Sequence, residues 1–118
     1  MRMRLKNILL VVSDIERSKK FYHDLFGLQI VRDFGENVML SEGLVLQEKL
    51  VWEQLMNTET VAGNAYELFF EERDLDAFLH KVKEHHVEVV LESSKNSWDK
   101  RVIRIKDPDG HLIEIAEV

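Results

Sequence analysis

The chain has 118 residues, 45% hydrophobic and 32% charged, with a net charge of −6 and no cysteine. That length suits one domain whose core folds without covalent help, and the absence of thiols excludes a disulfide framework, a thiolate metal site and a cysteine nucleophile. Lysine and arginine are scattered over an acidic chain, which gains nothing from counterion release on a phosphate backbone, so nucleic acid is not an expected partner.

The opening, MRMRLKNILLVVSD, sets basic residues before an apolar run, as a secretory signal does. The run ILLVV ends at Ser13-Asp14 with no small-residue cleavage site behind it, so it reads as a first strand and the cytoplasm as the expected compartment. No stretch approaches the roughly 20 apolar residues needed to cross a bilayer, so no membrane partner is expected. SDIE then reads as a capping box, with Ser13 as N-cap and Glu16 three residues on. Ile15, Tyr22 and Leu25 follow at helical spacing, widened by Phe21 and Phe26, and Gly27 stands where a left-handed C-cap belongs. LQIVRDF, NVMLSE and LVLQEKL predict three short strands, punctuated by Gly35 and Gly43. VWEQLMNTETVA reads as a connector with a turn of helix, and Gly63 marks the middle of the chain. The order then recurs. AYELFFEE is a strand, Asp74 caps a helix with Leu75, Phe78, Leu79 and Val82 on one face, and VEVVLE, RVIRIKD and HLIEIAE are strands. DPDG, the strongest turn signal in the chain, separates the last two.

Asp14, Ile15 and Glu16 match Asp74, Leu75 and Asp76 at an offset of 60, and Ile30 matches Val90 at the same offset. Two copies of a β-α-β-β-β unit therefore account for one α+β domain, residues 1–118: module one at 1–50, a connector at 51–62 and module two at 63–118. One helix covers only one face of a four-stranded sheet, so the two copies must share surfaces, their bare faces curling together around a cleft. Within the last strand, Glu114 breaks an apolar run. Period-two alternation turns Ile113 and Ile115 toward the helix and Leu112, Glu114 and Ala116 toward the cleft. The same alternation sends Leu68 and Phe70 to the helix and Glu67 to the cleft.

Paired βαβββ modules, the stretches VVSDIERSKKFYHDLFGLQIV and ELFFEERDLDAFLHKVKE, and the terminal RVIRIKDPDGHLIEIAEV together resemble the vicinal oxygen chelate superfamily, which includes glyoxalase I, extradiol dioxygenases, and fosfomycin- and bleomycin-resistance proteins. The resemblance covers nearly the whole chain and implies the glyoxalase/bleomycin-resistance fold and a homodimer. In the metal-using members four ligands meet in the cleft; carried over, they fall on Asn7, Gln47, Glu67 and Glu114. Asn7 and Glu67 stand seven residues before Asp14 and Asp74, while Gln47 follows Asn7 by 40 residues and Glu114 follows Glu67 by 47. The seven extra residues are assigned to a loop, SSKNSWDK.

No histidine occupies these places, a departure from the glyoxalase I pattern that argues against dioxygenase chemistry. Amide and carboxylate oxygens suit Mg²⁺, Mn²⁺ or Ca²⁺ better than zinc, nickel or iron. Two readings follow. In one, a divalent cation acts as Lewis acid for a glyoxalase-like lyase or isomerase, with Glu67 and Glu114 as ligand or base. In the other, the protein binds or sequesters a small molecule without metal or catalysis, and its carboxylates hydrogen-bond Asn7, Gln47 or Arg104. Arg104, on the cleft face with Val102, either meets an anionic ligand or pairs with a glutamate. Trp52 and Trp98 either form an aromatic lid or pack their connectors down. Leu9, Val11, Phe69 and Leu112 line the cleft and admit a partly apolar ligand. His80, His85 and His86 lack the spacing and acid partner of a helical zinc motif; His23 lies on a polar helix face, and His111 falls on the helix side.

Overall fold

Each copy of the repeat folds as a four-stranded sheet with one helix between its first and second strands. The computed structural model describes residues 2–60, 65–95 and 99–118, the Ser93 side chain excepted; Gly63 and Trp98 lie outside the described residues. The chain divides into two compact units, Met1–Val61 and Ala62–Val118. The first holds β1 (Ile8–Val12), α1 (Ile15–Phe26), β2 (Ile30–Asp33), β3 (Asn37–Leu40), a 3-10 turn (Ser41–Gly43), β4 (Leu44–Glu48) and α2 (Lys49–Met56). The second holds β5 (Leu68–Glu72), α3 (Leu75–Glu84), β6 (Val89–Lys95), β7 (Arg101–Lys106) and β8 (Leu112–Glu117). Their sheets have the same topology, β1-β4-β3-β2 and β5-β8-β7-β6. In each, the first and last strands run parallel and the remaining pairs antiparallel. This is the glyoxalase/bleomycin-resistance fold in its two βαβββ modules.

Helix α1 starts one residue later than a capping box on Ser13 requires. Asp14 is the N-cap, extended at φ −140°, and its carboxylate accepts from the Arg17 N–H at 3.0 Å. Ser13 and Asp14 are equally good caps by type, and the start at Ile15 decides between them. The Ser13 hydroxyl instead accepts from the Arg17 guanidinium at 2.8 Å, and Glu16 turns to Lys19 at 3.0 Å. Gly27 closes the helix at φ 69°, its N–H donating to the His23 carbonyl. Asp74 caps α3 as the sequence predicts, accepting from the Ala77 N–H at 3.0 Å.

Alternation builds the core of each unit. Leu10 and Val12 of β1, Val38 and Leu40 of β3, and Leu44 and Leu46 of β4 are buried, as are Ile15, Tyr22 and Leu25 of α1. In the second unit Ile103, Ile105, Ile113 and Ile115 are buried, as are Leu75, Phe78 and Val82 of α3. Between β7 and β8 the predicted turn is closed by Gly110 N–H to the Asp107 carbonyl at 3.0 Å.

Several expected boundaries move. The first strands begin at Ile8 and Leu68, leaving Asn7 and Glu67 just ahead of them. The connector opens with α2, eight residues rather than a single turn, capped by Glu48, whose carboxylate accepts from Leu50 and Val51. Strand β6 runs to Lys95, so 93–95 of the expected loop are strand. Among the described residues no helix is long and apolar enough to cross a membrane.

Candidate functional site

Strand register sorts the candidate residues. In the second unit Phe69 of β5 lies opposite Glu114 of β8, Glu114 opposite Arg104 of β7, and Arg104 opposite Leu91 of β6. Residues paired across strands share a face, so this row points away from the face of Ile103, Ile105, Ile113 and Ile115, which packs with α3. Glu67, two residues before Phe69, points the same way.

The charges in this row close on one another. The Arg104 guanidinium donates from Nε to Glu67 Oε1 at 2.7 Å and from Nη2 to Glu114 Oε1 at 2.7 Å. The Glu114 side chain is only 8% exposed, against 30% for Glu67 and 28% for Arg104. Unpaired, a carboxylate buried to that degree would cost several kcal/mol. The break in the apolar run of β8 is thus explained within the unit: Glu114 faces an arginine. The bond to Glu67, with the charge of both carboxylates, raises the guanidinium pKa against the opposing effect of burial.

The first unit puts different residues in the same places. Its row reads Leu9, Val45, Met39 and Arg32. Val45, 7% exposed, thus stands where Glu114 stands, and Met39 where Arg104 stands. Gln47 lies one pleat further along β4, opposite Val11 and Asn37, and its counterpart in β8 is Ala116. Asn7, ahead of β1, matches Glu67 ahead of β5. Continuing the β1–β4 register sets Asn7 opposite Gly43, so four residues, about 13 Å of strand, separate it from Gln47. Gly43 is required there: its φ is +77°, and a Cβ would sit 3.1 Å from the Lys6 carbonyl oxygen.

Of the expected site residues, the structure gathers Glu67, Arg104 and Glu114, with Phe69 beside them and 50% exposed. Trp52 is partly buried on α2, which packs against β4 and β1. Among the described residues no three His, Asp or Glu side chains form a metal-binding group. One pairing escaped the sequence reading: the Tyr66 hydroxyl lies 2.6 Å from His111 Nδ1. The repeat gives no hint of it, because Lys6, at the offset of 60, and Glu42, by strand register, fill the corresponding places in the first unit.

Comparison with known proteins matches residues 5–118 to a family described as a glyoxalase-like domain. A solved structure of a protein of unknown function from Agrobacterium tumefaciens str. C58 is 36% identical, covers 100% of this chain and 96% of its own, and superposes with a TM-score of 0.86. The uncharacterized protein YraH of Bacillus subtilis (strain 168) is 29% identical over 98% of this chain and 99% of its own length. The fosfomycin resistance protein FosX of Listeria innocua is 22% identical over 94% of this chain and 86% of its own.

Proposed function

Because this chain belongs to the glyoxalase-like domain family of the vicinal oxygen chelate superfamily, we propose that it binds a small molecule on the face of its second sheet turned away from α3, with Arg104 rather than a divalent metal as the fixed positive charge. One observation carries the reading: both carboxylates that the family resemblance assigns to a metal are held by Arg104 at 2.7 Å. A divalent ion entering there would have to expel the guanidinium or sit in contact with it, cation against cation. The other expected donors, Asn7 and Gln47, are neutral amides four residues apart in register. That set does not fit an octahedral Mg²⁺ shell or the six to eight oxygens of Ca²⁺, and no step is drawn through a metal. Engaged as they are, Glu67 and Glu114 also make poor general bases, which favours binding or sequestration over a lyase or isomerase reaction.

The ligand's requirements follow from the row. Arg104 gives Nε and Nη2 to carboxylates, which leaves Nη1 to donate to a ligand oxygen. Phe69 and Leu91, 50% and 44% exposed, offer apolar surface on either side of the charged pair. A small molecule with an acceptor oxygen and an apolar body suits both. The homodimer and the cytoplasmic location implied at the outset complete the proposal, and sedimentation measures the first.

The test is elemental analysis of protein purified without chelators, followed by calorimetric titration with Mn²⁺ and Mg²⁺, and by ¹H–¹⁵N spectra in EDTA with fosfomycin and a fragment set. The expected result is substoichiometric metal, no metal-binding heat, and ligand shifts centred on Phe69, Leu91 and Arg104. Stoichiometric metal that disappears in Glu114→Gln would overturn the proposal and restore the metal-assisted enzyme.

A further inference from the structure

The last paired residues at the Glu67 end of the β5–β8 ladder are Leu68 and Ile113. Glu67 therefore lies beyond the ladder, on chain that no strand pairing holds, yet it accepts the shorter-reach Nε of Arg104. Continuing the parallel register backward sets Glu67 opposite Leu112 and Tyr66 opposite His111. We propose that the Tyr66–His111 hydrogen bond is a clasp that extends the β5–β8 pairing by two residues past its last backbone rung, and that it thereby positions Glu67 and, through Glu67, Arg104. The inference rests on the reading of Arg104 as the site's fixed cation.

Both halves of the clasp are prepared. Burial, and then the nearby charge of Asp107, raises the Tyr66 phenol above its usual pKa, so it stays protonated and donates. His111 Nδ1 then accepts, which assigns its proton to Nε2. The His111 backbone is fixed independently: its N–H donates to Asp107 Oδ1 at 2.9 Å, and its carbonyl accepts from the Asp107 N–H at 2.9 Å. Alternation turns Tyr66 to the opposite face from Glu67, so the clasp touches neither Arg104 nor a ligand on the Arg104 face. It is a positioning pair.

The first unit supplies the contrast. Lys6 and Glu42 occupy the two clasp positions, and there the two stretches approach closely, with Gly43 against the Lys6 carbonyl. The residue so placed, Asn7, finds Val45 and Met39 where Glu67 finds Glu114 and Arg104, and the row's arginine, Arg32, lies on β2 beyond Met39. The clasp occurs in the unit that has a charge pair to position.

The experiment follows the Arg104 Nε–H in ¹H–¹⁵N spectra of the ligand-free protein, assigned by its loss in Arg104→Lys. Tyr66→Phe removes only the donor and is expected to speed solvent exchange of that proton about fivefold, the population shift worth one net hydrogen bond. His111→Ala should do the same. His111→Asn, which keeps an acceptor near the Nδ1 position, should restore most of the protection. A protected Nε–H that no variant disturbs overturns the clasp alone, as does acceleration shared equally by the amides of Ile103 and Ile115, the mark of general loosening. A wild-type Nε–H that exchanges like that of an exposed arginine overturns the fixed cation beneath it.

Discussion

The two modules share strand order, helix placement and the register of their first, third and fourth strands, and one row of side chains sets them apart. Leu9, Val45 and Met39 cross the first sheet where Phe69, Glu114 and Arg104 cross the second. Val45 and Glu114 are buried to almost the same extent, 7% and 6% exposed. The first module therefore shows what the scaffold needs at that place: an apolar side chain of modest size. The second departs from it at the cost of desolvating a carboxylate, and it adds an arginine and a second glutamate to offset that cost. Such departures from what packing prefers gather at binding sites.

Moving a carboxylate to the other module gives the largest expected effect. Val45→Glu places a charge beside Leu9 and Met39, with the row's arginine, Arg32, two strands away on β2, and a loss on the order of 3–5 kcal/mol is expected in urea denaturation. A stability close to wild type would mean that burial at the two positions is not equivalent. Arg104→Met, the reverse exchange, leaves Glu114 uncompensated. Because Arg104 and Glu67 keep part of their side chains in water, the loss is expected to be smaller, about 2 kcal/mol. Adding Glu114→Val reproduces the first module's row and should bring stability back to within about 1 kcal/mol of wild type, with ligand binding lost. A double variant no more stable than the single would show that the second row has a structural duty the first lacks.

Much of this architecture was legible in the chain. The offset of 60 exposed the two modules, Gly27 and Asp74 marked helix ends, DPDG marked the last hairpin, and alternation separated Glu114 from Ile113 and Ile115. Arg104 paired with a glutamate was one of two readings open at that point, and the geometry takes it. Counting residues failed at the match between Glu114 and its partner in the first module, because it allowed seven extra residues in the second module where the ladders show nine. Parallel strands are joined through intervening elements whose lengths vary, and only the ladder shows that Val45, not Gln47, is the counterpart. Helix α2 was hidden for another reason: its apolar residues Leu50, Leu55 and Met56 are exposed, so the pattern in KLVWEQLM does not mark a buried face.

The helices differ as the sheets do. Ser18 and Phe78 are equivalent at the offset of 60 and both are buried, Ser18 completely. The Ser18 hydroxyl has no hydrogen-bond partner among the described residues. An unsatisfied buried hydroxyl on a helix with lower intrinsic propensity than alanine gives nothing back for its desolvation. Ser18→Ala is expected to stabilise the first module by about 1 kcal/mol, read as a rise in the thermal midpoint. Destabilisation would reveal a buried water bonded to the hydroxyl.

The smallest effect belongs to the clasp, and pH isolates it. Burial and Asp107 raise the Tyr66 pKa above the ordinary 10.0, so the folded chain holds that proton more tightly than the unfolded one. The resulting stability is fully present below about pH 10 and is lost as pH climbs through the folded pKa. Tyr22 is present in both wild type and Tyr66→Phe, so the difference between their absorbance titrations at the phenolate band reports Tyr66 alone. The expected midpoint lies above the ordinary tyrosine value, and wild-type stability falls relative to Tyr66→Phe over that interval. Since 43% of Tyr66 remains exposed, water moderates the displacement, and its direction decides the matter. A midpoint at or below the ordinary value would mean that neither burial nor Asp107 holds the phenol's proton, and that the clasp contributes no stability in this pH interval.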